Sequence, residues 1–269
     1  MELYLEGVGL CAGGLPNWPE GRDVLAGRSP FCAAEIVMTA STLLPPAERR
    51  RTTDTVKLAM TVGGEAIAHA RLRAEDVPSV FTSSGGDGKT ITAILEVLAS
   101  PQREVSPTRF HNSVHNAPAG YWSIATGCRE ASTSICAYDF SFAAGLLEAA
   151  TRALAEQCPV LLVAYDVPYP PALDACRKIT APFGAALVVS PRRTASTLAD
   201  LSIELRRDTG PETMLNDPAI EALRAGVPAA RALPLLVALA RGSSQEVVIP
   251  HVADNGLAIR VTPAGHDSR

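Results

Sequence analysis

The run PVLLVAYDV (Pro159–Val167) is apolar at nearly every position. It lacks the in-and-out alternation of a strand with one wet face, so it reads as a strand covered on both sides. FGAALVVSP (Phe183–Pro191) is a second run of this type. Between and before them lie helical periods: DTVKLAMTVGGEAIAHA from Asp54, GKTITAILEVLAS, and SFAAGLLEAATRALAEQ, which is small or apolar nearly all round. Strands alternating with helices predict an α/β fold with helices layered around a sheet. Alanine abundance and an aromatic share of only 5% call for close helix-to-sheet packing. The longest apolar run, ALPLLVALA (Ala232–Ala240), is too short to span a bilayer.

The remaining segments fill in the order. LYLEGVGLCAGG reads as a strand entering a Gly-rich turn, NWPEGRDVLAG as a loop with a short helix, and PSVFTSS as a strand. PQREVSPTRFHNSVHNAPAGYWSIATG reads as turn-rich, and STSICAYDF as a strand rich in Ser, Thr and Ile. Composition shifts after Pro191. STLADLSIELRR then predicts a strand, DPAIEALRAG and PAARALPLLVALARG two helices, and EVVIP with LAIRVTP a β-pair. The expected organisation is a main unit over 1–191 with a short α/β extension over 192–269.

The net charge of −4 provides no general attraction to nucleic acid or anionic membranes. Six cysteines without a C-x-x-C pair, and an amino terminus without a secretion signal, read as free thiols of a cytoplasmic protein.

Four local patterns are candidates for chemistry. TSSGGDGKT, following a strand and opening a helix, has the setting of a phosphate-binding loop with Lys89, but Ser83 stands where that loop needs glycine. Asp166 would be the strand-terminal aspartate of such a site. The alternative is a plain strand-to-helix turn with Lys89 at the surface. His111 and His115 are four apart, yet a zinc site needs further ligands, and no metal is expected. Cys136 could serve as a nucleophile, because a thiol near a helix start gains thiolate character, although it falls within the predicted strand. Asp139 and Ser141 sit where short polar side chains cap a helix.

Together these segments resemble the amino-terminal half of the β-ketoacyl synthases. The segments in question are VGLCAGG with WPEGRDVLAG, the basic-entry helix ERRRTTDTVKLAMTVGGEAIAHARL, VFTSSGGDG and FGAALVVSP. The anchor is SPTRFHNSVHNAPAGYWSIATGCREASTSICAYDFSFAAGLLEA, which keeps Ser106-Pro107, Asn116, Ala119-Gly120, Ser123-Ile124 and Gly127 of the synthase pattern. The resemblance implies a thiolase-like half-fold. It places the synthases' nucleophilic cysteine at Asp139, with Cys136 three residues early, and makes VFTSSGGDG scaffold. None of the five histidines stands in the family's Gly-rich catalytic context.

The pattern is similar to chain-length factors, above all the short subunit of aryl-polyene clusters. It implies a catalytically silent chain that forms a heterodimer with a β-ketoacyl-(acyl carrier protein) synthase, with the carrier protein as a further contact and no cofactor. Phe110, His111, Val114, His115, Tyr121, Trp122 and Phe140 would line the tunnel or the partner interface. An ionised Asp139 would also repel an incoming malonyl carboxylate. Three rivals stay open: an active synthase using Cys136, an NTPase using Lys89, and a general scaffold that only stabilises the synthase.

Overall fold

The computed structural model describes residues 1–207 and 210–265. Its strands are β1 (Glu2–Ala12), β2 (Ser79–Thr82), β3 (Ser132–Ile135), β4 (Val160–Asp166), β5 (Phe183–Ser190), β6 (Ala199–Arg207), β7 (Gln245–Pro250) and β8 (Asn255–Pro263). The helices are α1 (Trp18–Leu25), α2 (Pro46–Arg49), α3 (Asp54–Ala70), α4 (Gly88–Ala99), α5 (Pro107–Asn112), α6 (Ala117–Thr126), α7 (Ser141–Glu156), α8 (Pro171–Asp174), α9 (Pro218–Gly226) and α10 (Leu233–Arg241).

All eight strands form one mixed sheet, ordered β3-β2-β4-β5-β1-β6-β8-β7. β2 runs parallel to both β3 and β4, and the other pairings are antiparallel. Every residue of β4 is buried, as the run Val160–Asp166 requires. Its alternate side chains serve two cores: Val160, Leu162 and Ala164 on one face, Leu161, Val163 and Tyr165 on the other. The first core is closed by α1, α7 and α10, the second by α3 and α6. Layered helices around a mixed sheet, the thiolase-like arrangement, are therefore present. Residues after 191 supply β6, β8 and β7 to this same sheet.

Two glycines set how close one layer lies. A β-carbon on Gly7 or Gly9 of β1 would come within 2.2 Å of Ala66 O or 2.0 Å of Val62 O, so α3 can rest on β1 only over bare backbone.

The segment expected to be turn-rich instead forms α5 and α6. Pro107 and Pro118 occupy the first turns of these helices, where a missing N–H is harmless and the fixed φ is already helical. The strand expected across STSICAYDF ends at Ile135, and Tyr138–Phe140 is a 3-10 turn. Cys136 accordingly lies just past the strand rather than inside it.

Candidate functional site

Ligand crevices in α/β sheets open at the carboxyl ends of the parallel strands. Here β3, β2 and β4 end together, and each end leads into an irregular segment. After β3, Tyr138 adopts a left-handed backbone with φ of 53°, a conformation uncommon for a bulky residue. This turn is pinned by Ser141, whose hydroxyl accepts from Ala137 N at 3.0 Å and donates to Tyr138 O at 2.7 Å.

Asp139 follows on this turn and does not cap α7, whose first turn lacks a side-chain cap. Its carboxylate instead pairs with Arg177 from the segment after α8. The Arg177 guanidinium also stacks on Tyr138, 3.4 Å from the ring centroid. The arginine side chain is 15% exposed and that of Asp139 47%. The expectation of a helix cap is thus corrected: a nearby cation takes the carboxylate. The repulsion expected between Asp139 and a malonyl carboxylate loses its basis for the same reason, since Arg177 offsets the charge.

The Gly-rich turn after β2 is committed to the protein itself. Asp166, 2% exposed, accepts from Ser83 Oγ (3.1 Å), Ser84 N (2.9 Å), Ser84 Oγ (2.8 Å) and Ala229 N (2.8 Å). Burial pushes its carboxyl above the usual range, against the opposing pull of those hydrogen bonds. Gly86 N bonds Ser83 Oγ and Thr90 N bonds Asp87. Tyr169 fills the space over the turn, so that a β-carbon on Gly85 would sit 1.9 Å from its hydroxyl. Lys89 points away to Asp54 at 2.7 Å. The glycines make room for Tyr169, the N–H groups of Ser84, Gly86 and Thr90 are already bonded within the protein, and Lys89 is turned to Asp54 and away from the loop where a phosphate would sit.

Cys136 is exposed and its thiol donates to Ser84 O at 3.2 Å. His115 Nε2 lies 3.1 Å from Ser83 O, on the same turn. His111 belongs to α5 and stacks edge-on against Tyr121 with ring centroids 5.9 Å apart, so the two histidines do not share a helix face. Phe140 lines a cavity of about 460 Å3 with Glu212, Val248 and His251 among its walls. Burial lowers the pKa of His251, and its Nδ1 has no hydrogen-bond partner among the described residues.

The aromatic set divides. Phe110 and Val114 are 68% and 51% exposed. Tyr121 and Trp122 are core residues at 1% and 2%; Tyr121 donates to Asn112 Oδ1 at 3.0 Å, and Trp122 packs on Phe81 and Gly63. Their burial comes from α6 facing α3 within this chain. Arg177, Tyr169 and His251 were missed by sequence reasoning. Each is distant in sequence from the Asp139 turn, and the signal for their approach is the strand order, which no local motif encodes.

The eight-stranded mixed sheet between two helical layers overlays on the thiolase-like ketosynthase fold. The chain belongs to the β-ketoacyl synthase, N-terminal domain, family, whose model matches residues 26–238. No curated protein sequence matches the chain.

Solved structures share its fold. One is a chain of the complex of the ketosynthase ApeO with its chain length factor ApeC from Xenorhabdus doucetiae. It overlays with a TM-score of 0.72 and 23% identity, covering 97% of this chain and 99% of that one. A chain of the ishigamide ketosynthase/chain length factor has a TM-score of 0.72 at 14% identity, with 98% and 100% covered. A β-ketoacyl synthase from Burkholderia phymatum has a TM-score of 0.62 at 14% identity, with 89% and 70% covered.

Proposed function

We propose that this chain is a catalytically silent, chain-length-factor-like partner of a β-ketoacyl-(acyl carrier protein) synthase in polyketide or fatty-acid-type synthesis, of the aryl-polyene kind. The observation that carries the reading is Asp139, the residue the synthase pattern aligns with the nucleophile, held in an ion pair with Arg177. A carboxylate attacking an acyl thioester would give a mixed anhydride, a poor store for a growing chain.

Partnership is supported by an uncovered face. In α4 only Gly88 and Thr90 are buried, while Leu95 and Leu98 are 54% and 46% exposed. Phe110 of α5, which packs on α4, and Val114 just after it are further exposed apolar side chains. Apolar surface of this kind marks interaction sites.

The two sheet edges are also treated differently. On β7, Val248 gives its N–H to Thr213 Oγ1 at 2.8 Å and its C=O accepts from Thr213 N at 3.0 Å, which blocks strand addition. On β3, Ala131 and Ile135 turn their carbonyls to β2, so by alternation Ser132 and Ser134 face the open edge. A synthase docking there would place Phe110 and Val114 against its acyl tunnel, where filling the far end limits extension.

Co-expression with a synthase tests this. A stable heterodimer is expected, with carrier-bound products that lengthen when Phe110 is replaced by Ala. Product length unchanged by Phe110→Ala and Val114→Ala in an intact complex would leave only a scaffolding role.

A further inference from the structure

We propose that Arg177 forms a carboxylate-binding site that Asp139 fills in cis, so that removing the Asp139 side chain opens it to a small dicarboxylate such as malonate. The inference does not depend on partnership with a synthase.

Three observations carry it. The guanidinium is held in place before any ligand arrives, because its Cζ sits over the Tyr138 ring, 3.4 Å from the centroid. A stacked, pre-oriented guanidinium loses little freedom on meeting a planar carboxylate. Its surroundings are largely dry, with the arginine side chain 15% exposed, so the attraction is screened less than at an open surface. Finally, Asp139 is the one carboxylate paired with it among the described residues. That carboxylate is half open to solvent, so a free ligand can reach the place it occupies once it is gone. The left-handed Tyr138 gives the aspartate its position: it turns the chain so that residue 139 meets the arginine arriving after α8. The two acidic side chains at the turn after β2, Asp166 and Asp87, are spent on donors of their own. Among the described residues, no carboxylate other than Asp139 pairs with Arg177.

The test is malonate binding to the full-length chain, by calorimetry and by thermal shift, with sodium chloride at matched ionic strength as the reference. Asp139→Ala is expected to bind malonate about tenfold or more tightly than the unaltered chain, with a saturable rise in Tm that chloride does not reproduce. Adding Arg177→Ala should abolish the gain. If Asp139→Ala folds poorly, Asp139→Ser, which also removes the carboxylate, should give the same result. Equal malonate affinity in the unaltered chain and in the folded Asp139 variant overturns the proposal. So does a gain that persists without Arg177.

Discussion

The carboxylate of Asp166, at the end of β4, accepts a hydrogen bond from the backbone N–H of Ala229 at 2.8 Å, across 63 residues of chain. The same carboxylate holds Ser83 and Ser84 of the turn after β2. One buried side chain thus ties the crevice to the segment that follows residue 191. Asp166→Ala leaves the N–H groups of Ser84 and Ala229 buried without acceptors. At about 1–3 kcal/mol for each orphaned donor, a loss of about 3 kcal/mol in unfolding free energy is expected by denaturant titration. A loss below about 1 kcal/mol would mean that the tie is not structural.

Asp166 also gives stability a pH dependence. Burial raises its folded-state pKa above the unfolded value of about 3.9, so the folded chain holds the proton more tightly. Its contribution is then greatest below about pH 4 and is lost as pH rises through the folded-state pKa. Asp166→Asn cannot ionise and lacks this term. Denaturation midpoints from pH 4 to 7 should show the unaltered chain losing ground relative to Asp166→Asn as pH rises. A gap moving the other way would reverse the assignment.

The exposed and buried aromatics separate partner contact from packing. Phe110→Ala should change stability by no more than about 0.5 kcal/mol while weakening synthase binding by about 2 kcal/mol. Trp122→Ala should cost the isolated chain about 3–5 kcal/mol. Thermal unfolding with a binding titration distinguishes them, and equal destabilisation by both would contradict the division.

Much of this was legible in the chain. Val160–Asp166 declared a strand covered on both faces because its apolar run lacks the alternation of a strand with one wet face. The part that stayed hidden is tertiary. Asp139 looked like a helix cap because a short carboxylate before a helix is one by local rules, and Arg177 overrides those rules from 38 residues away. α5 and α6 were read as turns because Pro, Asn and Ser signal both a loop and the start of a helix. The interior place of Tyr121 and Trp122 depends on α6 meeting α3 beside Gly63, a contact that periodicity in a 10-residue helix does not specify. Tyr169 over Gly85 and Gly88 shows the same limit: the glycine spacing was visible, but the ring it accommodates was not.

Catalytic silence is tested most directly by incubating the purified chain, alone and with a partner synthase, with acyl- and malonyl-loaded carrier protein and weighing the products by mass spectrometry. The expected result is no condensed product from the chain alone and elongated products only when the synthase is present. Condensation by the chain alone, lost in Cys136→Ala, would contradict it.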